Sequence, residues 1–197
     1  MTRLFLAGEG KHELGRWANE PPWRDAAGEE DGVLATLYRR FDPSAEVVDG
    51  VLWRRIVKYQ VGEHRGPEAR TLLGAAQYAR EKDAVLVWCR DTDHDDERLD
   101  DLQRGMKELP EKTSTRWVWC PVIPCLEGWV LDLAGKQKMP DDERVTKLQK
   151  LAQEAGLDTL DAMTRVAETA PLERLSSPSL KDWLERARRD VETHREA

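Results

Sequence analysis

The fold is decided by residues 84–93, which read AVLVWCRDTD. Six apolar residues in succession are typical of a central strand that is covered on both faces. The run ends in Arg90-Asp91-Thr92-Asp93, so acidic groups follow the strand at its carboxyl end. Open α/β sheets bind their ligands outside that end of their strands. The stretch therefore predicts a parallel sheet and also the edge of the sheet where a site would lie.

Strands and helices alternate on both sides of this stretch. Further strands are predicted for three segments: 3–7, 46–59 and 116–125, the last broken at Pro121 and Pro124. Helices are predicted for four segments: 31–41, 67–82, 97–109 and 127–133. Pro110 is expected to end the helix over 97–109, and the strand over 46–59 either stays extended or folds back at Asp49-Gly50. This alternation predicts an α/β fold with a mostly parallel central sheet and helices on both faces.

The last third of the sequence predicts helices alone, over 141–155, 158–169 and 178–194. We expect one domain over residues 1–135 and a helical extension, 136–197, packed on the same domain. The segment 171–179 (PLERLSSPS) resembles a linker to the last helix. That helix carries an apolar stripe, so it packs either on the domain or on another subunit of a homo-oligomer: Leu180, Trp183, Leu184, Ala187 and Val191.

The net charge of −7 is concentrated in one place. Residues 91–101 contain seven acidic residues and one arginine, which leaves the rest of the 197-residue chain close to neutral. Such a surface offers no broad basic face that would bind nucleic acid alone. The basic residues between Arg39 and Arg65 either steer a phosphate backbone or form an ordinary solvated surface.

The cysteines and the hydropathy pattern predict a soluble, cytoplasmic protein. Cys89, Cys120 and Cys125 are an odd number without framework spacing, which is typical of reduced thiols. Zinc binding by Cys120 and Cys125 is disfavoured because no second ligand pair follows. No apolar run approaches the roughly 20 residues that a membrane helix needs.

Asp91 and Asp93 are the main candidates for metal ligands. Two residues apart on an extended segment, their side chains point the same way, and two such carboxylates repel by about 1 kcal/mol in water and more when partly desolvated. A divalent cation removes this conflict, and oxygen ligands favour Mg²⁺ or Mn²⁺ over zinc. Asp95 or Asp96 either supplies a third ligand or caps the following helix, and His94 is a weaker candidate.

Glu9 is the second candidate, between two glycines just after the first predicted strand. Glycine allows the backbone to turn sharply and to approach a ligand closely. The alternative is an ordinary Gly-Glu-Gly turn without a ligand. The motif is not a dinucleotide fingerprint, because Glu13 stands where the third glycine belongs. It also lacks the Gly-Lys-Ser/Thr of a phosphate loop.

Together these motifs resemble a known fold. Residues 4–11 (LFLAGEGK) predict a strand that ends in Glu-Gly, and residues 84–93 predict one that ends in Asp-x-Asp. This pair resembles the Toprim fold of topoisomerases, primases and the OLD-family nucleases. Residues 123–132 (IPCLEGWVLD) are similar to a stretch with Pro, Glu, Trp and Asp in the DUF4276-type Toprim-like proteins. The resemblance covers residues 4–132.

The resemblance implies a metal centre. Glu9 would lie beside Asp91 and Asp93, the three would hold one or two Mg²⁺ ions, and the glutamate would serve as general acid or base on a phosphodiester. Glu127 would either add a ligand for a second ion or be a first-turn helix acid. Nuclease members also place a cation near the scissile phosphate, and the candidates here are three lysines: Lys11, Lys136 and Lys138. Trp129 and Leu133, at helical spacing, are expected in the core.

Three functions follow as hypotheses. The first is a Toprim-like, Mg²⁺-dependent nuclease of DNA or RNA that acts with an ATPase partner in defence against phage. The second is a non-catalytic adaptor or sensor that keeps the scaffold and binds a partner ATPase or a phage protein. The third is a nucleotide-sugar transferase, whose Asp-x-Asp also ends an apolar strand, but this reading leaves Glu9 without a role.

Overall fold

The computed structural model of the chain describes residues 1–19, 30–56, 67–92, 95–112, 116–122, 125–136, 141–155, 158–173 and 175–195. These residues contain four strands: β1 (Arg3–Gly8), β2 (Glu46–Leu52), β3 (Val85–Asp91) and β4 (Trp117–Val122). They also contain eight α-helices: α1 (Lys11–Leu14), α2 (Val33–Arg39), α3 (Pro67–Glu81), α4 (Asp96–Lys112), α5 (Leu126–Leu133), α6 (Asp141–Ala155), α7 (Thr159–Thr169) and α8 (Pro178–Arg195). Single 3-10 turns form at Arg16–Ala18 and Trp53–Arg55.

The four strands form one sheet in the order β2-β1-β3-β4, and every pairing is parallel. Strand β3 lies between β1 and β4, in a register that sets Ala7 opposite Trp88 and Cys89 opposite Cys120. Its residues Val85 to Cys89 are all buried, as their unbroken apolar run predicts. The predicted α/β fold with a parallel central sheet is confirmed.

Successive residues of the strands enter two different cores. Leu4, Leu6 and Val87 belong to a buried cluster with α2, α5, α7 and α8 on one face of the sheet. Phe5 and Trp88 belong to a second cluster with α3 and α4 on the other face. This alternation follows from the two-residue period of a strand. Helices therefore cover both faces, as predicted.

Strand β2 does not fold back at Asp49-Gly50, so that alternative is wrong. It runs parallel to β1 along its whole length and absorbs one extra residue, because Leu4 pairs with Val47 but Phe5 pairs with Asp49. Gly50 is required by close packing rather than by a turn. A Cβ at Gly50 would lie 2.7 Å from Cβ of Trp17.

Two proline predictions are also wrong. Helix α4 continues past Pro110 to Lys112. A proline removes one backbone hydrogen bond, and near the end of a helix that loss does not stop the remaining turn. Strand β4 is not broken at Pro121, which pairs with Arg90 of β3. Within the described residues β4 is at the edge of the sheet, where a missing N–H on the outer side costs no ladder bond. Pro124 lies outside the described residues.

The helical extension shares the core of the sheet. Leu148 of α6, Met163 of α7 and Trp183 of α8 are in the same buried cluster as the strand residues Leu4 and Val87. Helix α8 therefore packs on the domain itself, through the apolar stripe that the sequence shows.

The segment before α8 is held to α5 and is not a free linker. The buried Asp132 accepts hydrogen bonds from the backbone N–H groups of Ser176 and Ser177, at 2.8 and 2.7 Å, and from the Ser176 hydroxyl at 2.6 Å. Trp129 Nε1 donates to the hydroxyl of Ser179 at 2.8 Å. Trp129 and Leu133 are both buried in the core, as predicted.

Candidate metal centre

The candidate site lies where the chain changes direction across the sheet. From β1 the chain first adds β2 on one side, and then adds β3 on the other side of β1. The carboxyl ends of β1 and β3 are thus neighbours at the point where the strand order reverses. In open α/β sheets this crevice is the usual place for a ligand.

Glu9 follows β1 directly and reaches the end of β3. Its Oε1 accepts a hydrogen bond from the backbone N–H of Asp91 at 3.2 Å. A tight turn holds it there: Gly10 N–H donates to Oε2 of Glu13 at 2.9 Å as helix α1 begins. A Cβ at Gly8 would lie 2.8 Å from Cβ of Glu13, so only glycine allows this close return of the chain.

Asp91 connects the same edge to helix α5. Its Oδ1 accepts a hydrogen bond from the backbone N–H of Leu126, the first residue of that helix, at 3.0 Å. The first N–H groups of a helix have no partner within the helix, so this contact satisfies one of them. The structure therefore brings together Glu9, Asp91 and the start of α5. Asp93 and His94 lie outside the described residues.

Two arginines and a second glutamate complete the cluster. Arg90 forms ion pairs with Glu9 and with Glu68 of α3, and its Nη2 lies 3.1 Å from Glu68 Oε1. Arg98 of α4 donates from Nη1 to the backbone carbonyl of Asp91 at 3.1 Å. Neighbouring strand residues point to opposite faces, so Arg90 is directed to the α3 side of β3 and Asp91 to the α5 side.

Sequence reasoning missed Arg90, Glu68 and Arg98. The signal that was available is the position of Arg90, immediately before the aspartates at the end of a buried strand. Its partner Glu68 is 22 residues away in the first turn of α3, and only the packing of α3 on the sheet brings the two together.

Glu127 lies next to Leu126 and pairs with a histidine. His12 Nδ1 is 3.5 Å from Glu127 Oε1. The hydrogen bond with His12 lowers the pKa of Glu127 below its ordinary range, against the effect of burial. The same bond raises the pKa of His12. Glu127 is in the first turn of α5, which agrees with the simpler of its two predicted roles. His12 was not predicted.

Asp95 caps helix α4. Its Oδ1 accepts the backbone N–H of Arg98 at 3.0 Å, and its backbone carbonyl accepts the N–H of Leu99. An aspartate at this position satisfies a helix N–H and places its charge at the positive end of the helix dipole. The capping role that the sequence offered for Asp95 is therefore present.

The donors at the sheet edge fit a hard divalent cation. Glu9 and Asp91 offer carboxylate oxygens, which Mg²⁺ and Mn²⁺ prefer. The cluster already attracts positive charge, because Arg90 lies against Glu9 with only 15% of its side chain exposed. A divalent cation at this edge would meet carboxylate oxygens and would compete with Arg90 for Glu9.

A different acidic group could also hold a metal ion. Among the residues that the structure describes, Glu30, Asp158 and Asp161 have carboxylate oxygens within 4.8 Å of one another. Glu30 and Asp158 are exposed, and Asp158 caps α7 by accepting the N–H of Asp161 at 2.9 Å. The sequence did not single out this group, because Glu30 is far in the chain from Asp158 and Asp161.

The other basic residues have diverse surroundings. Arg39 pairs with Asp31, and Arg40 donates to the backbone carbonyls of Ala167 and Ala170. Lys11 and Lys136 are exposed. Several residues that the sequence singled out lie outside the described part of the chain: Lys58, His64, Arg65 and Lys138. The basic stretch is thus divided between structural contacts and the surroundings of the candidate site, where Arg54 lines a cavity with Glu9.

Comparison with protein-family models, curated proteins and solved structures gave no match to this chain. No helix in the described residues has the length and apolar character that crossing a membrane requires.

Proposed function

We propose that the chain is a Toprim-like, Mg²⁺-dependent nuclease of DNA or RNA whose site is formed by Glu9, Asp91 and Asp93. One observation carries the proposal: the carboxylate of Glu9 accepts a hydrogen bond from the backbone N–H of Asp91 at 3.2 Å, across the switch point of a parallel sheet. These two residues are 82 positions apart in the chain, and the motif resemblance requires them to be neighbours.

Each residue has a part in the proposed reaction. Mg²⁺ would stabilise the attacking and leaving oxygens of a phosphodiester and lower the pKa of a bound water. Glu9 and Asp91 would bind the cation, and Asp93, two residues further along the chain, would add a third carboxylate. Glu9 would also transfer a proton as general acid or base. Asp95 and Glu127 would support this centre from the starts of α4 and α5.

The surface of the chain favours a partner. Apart from residues 91–101 the net charge is close to zero, so long-range attraction for a phosphate backbone is weak. We propose that an ATPase partner delivers the nucleic acid, in a cytoplasmic system of defence against phage. The family that the sequence motifs resemble carries this suggestion by analogy.

Substitution of Asp91 tests the catalytic proposal. Asp91→Asn keeps an oxygen that can accept the Leu126 N–H but removes the charge that binds Mg²⁺. We expect Mg²⁺-dependent cleavage to fall by at least about 100-fold with an unchanged melting temperature in the absence of metal. Cleavage of single-stranded and duplex DNA and RNA is measured with the partner ATPase present.

The matched control is Asp100→Asn, which removes an exposed acid from helix α4 in the same acidic segment. It should cleave at the rate of the unmodified chain. Equal cleavage by Asp91→Asn, Glu9→Gln and the control would contradict the catalytic proposal.

A non-catalytic adaptor is the second candidate, and a specific observation favours it. Glu9 is paired with Arg90, and Asp91 Oδ1 accepts the Leu126 N–H, so both carboxylates are stabilised by the protein itself. An adaptor would keep these bonds and bind no cation. If millimolar Mg²⁺ leaves the melting temperature unchanged, and no nucleic acid is cleaved, the adaptor is the better account. A ligand that binds only the folded state must raise the melting temperature.

A further inference from the structure

A cavity of about 390 Å³ opens beside Glu9 on the α3 side of β3. Its walls include Glu9, Glu68 and two arginines, Arg54 and Arg90, together with the indole of Trp53. Ligand cavities of small-molecule size begin at about 300 Å³. The nuclease mechanism proposed above uses Glu9 but gives no role to the arginines or to the cavity.

Arg90 is held between two carboxylates at the boundary of this cavity. One side of its guanidinium faces Glu68, with Nη2 at 3.1 Å from Oε1 and Nε at 3.4 Å from Oε2. The remaining nitrogen, Nη1, pairs with Glu9. Glu68 is fixed in turn by Trp53, whose Nε1 donates to Oε2 at 2.5 Å. Glu68 thus anchors Arg90 through two nitrogens, and Glu9, to which Arg90 is also paired, belongs to the candidate metal centre.

The two partners place different demands on Arg90. A guanidinium binds a carboxylate side-on through two parallel N–H groups, and the contact with Glu68 uses this arrangement. The contact with Glu9 uses a single nitrogen and competes with any other cation for the same carboxylate. Loss of the Glu9 contact would leave Arg90 anchored on Glu68, at the wall of the cavity that Arg54 also lines.

We propose that Arg90 is the resident counter-cation of Glu9, that it leaves Glu9 when this carboxylate binds a divalent cation, and that its Nη1 then binds a phosphate group in the cavity. This inference rests on the proposed function, because it assigns the phosphate-binding cation of the same site. Arg54 adds a second positive charge at the cavity, and the wall of Trp53 and Ile56 suits the sugar or base that follows the phosphate.

Arg90→Gln tests the first half of the proposal, through Mn²⁺ affinity measured by calorimetry on the full chain without nucleic acid. Removal of a competing cation should tighten Mn²⁺ binding about threefold to tenfold, the equivalent of one ion pair. Arg116→Gln is the matched control. Arg116 lies at the amino end of β4 and is also ion-paired, with Asp190 of α8. Its loss should leave the affinity for Mn²⁺ unchanged. Weaker or unchanged binding in Arg90→Gln would overturn the proposal.

Phosphate affinity must move in the opposite direction. With Mg²⁺ present, inorganic phosphate should bind Arg90→Gln at least about fivefold more weakly than the unmodified chain. Thymidine 5′-monophosphate should bind the unmodified chain more tightly than inorganic phosphate does, because the apolar wall then contributes. Equal affinity for the two probes would limit the site to free phosphate. A merely structural role of Arg90 cannot strengthen the binding of one ligand while it weakens that of the other.

Glu68→Gln provides a second variant. Without the Glu68 carboxylate, the ion pair of Arg90 with Glu9 should strengthen, so Mn²⁺ should bind more weakly. In the double variant Glu68→Gln/Arg90→Gln this effect should vanish, since the Arg90 guanidinium no longer competes for Glu9. If the weakening persists in the double variant, Glu68 acts by itself and the proposal fails.

The outcomes separate this inference from the nuclease proposal. Tighter Mn²⁺ binding and weaker phosphate binding in Arg90→Gln, without cleavage by the unmodified chain, would support the inference and contradict the nuclease. Cleavage by the unmodified chain, with no change of Mn²⁺ affinity in Arg90→Gln, would support the nuclease and contradict the inference about Arg90. If neither the unmodified chain nor Arg90→Gln binds Mn²⁺, the nuclease proposal and the inference about Arg90 are both wrong.

Discussion

Individual carboxylates at the carboxyl edge of the sheet each have a different partner. Glu9 contacts Arg90 and the Asp91 N–H, Asp91 contacts the Leu126 N–H, and Glu127 contacts His12. Opposite charges and N–H donors favour the ionised form of a carboxylate. These contacts orient the carboxylates, and the hydrogen bond with His12 lowers the pKa of Glu127.

The pair of His12 and Glu127 predicts a pH dependence of stability. The pKa of His12 is raised above 6.5 in the folded chain, so its stabilising contribution is complete below pH 6.5 and is lost as the pH rises through the folded value. The pKa of Glu127 is lowered below 4.5, so its contribution is present above pH 4.5 and is lost as the pH falls through the folded value. The pair therefore stabilises most between these limits.

Urea unfolding of the unmodified chain and of His12→Gln checks this prediction. The free energy of unfolding should differ most near about pH 5.5 and the difference should shrink toward about pH 8.5. A difference that is constant over this range would show that His12 acts by packing and not by its charge.

Among the elements, α5 does more than its sequence suggested. The segment 123–132 resembles a stretch of the Toprim-like proteins, and within it Trp129 and Asp132 bind the start of α8 and the residues before it. Trp129 Nε1 donates to the Ser179 hydroxyl, and Asp132 accepts from the backbone N–H groups of Ser176 and Ser177. The element thus has its first residue at the candidate site and its last turn at the docking point of α8.

Asp132→Ala should destabilise the fold strongly. It leaves two backbone N–H groups and a hydroxyl without their acceptor at a buried position, which costs about 2–4 kcal/mol in the free energy of unfolding. Glu185→Ala removes an exposed acid that pairs with Arg189 on α8, and should change it by less than about 0.5 kcal/mol. Chemical denaturation measures both, and equal small effects would mean that the Asp132 contacts are not needed to hold α8.

Features of the fold and of the candidate site could be predicted from the sequence where they depend on residues that are close together in the chain. The apolar run 84–89 and the acids after it predicted β3 and the edge of the sheet correctly. A strand that is buried on both faces is apolar at consecutive positions, and this pattern can be recognised in the sequence alone. The family resemblance implied that Glu9 lies beside Asp91, and the adjacent carboxyl ends of β1 and β3 agree with this. The partners Glu68 and His12 could not be predicted, because they depend on how α3 and α1 pack on the sheet.

The errors have the same origin. Asp49-Gly50 has the composition of a turn, but Gly50 is there because Trp17 packs against it. Pro110 and Pro121 were read as breaks, yet a helix near its end and a strand at a sheet edge both tolerate a missing N–H. In each case the position of the residue in the tertiary structure decided whether it interrupts an element or is accommodated within it.

At the scale of the whole molecule, one parallel sheet with helices on both faces carries the α6–α8 extension in its own core. The candidate site lies at the switch point that the order β2-β1-β3-β4 creates among the described strands. A rigid sheet that is covered on both faces fixes the ends of β1 and β3 relative to each other. Charged groups there are held in place without help from a bound ion.

The location of a bound ion is the most direct test of this account. Crystals of the chain soaked in Mn²⁺ are measured for anomalous scattering of the metal. We expect a peak between Glu9 and Asp91, with Asp93 drawn to it. A peak only at Glu30, Asp158 and Asp161, or no peak at millimolar Mn²⁺, would contradict the claim that Glu9 and Asp91 share a cation.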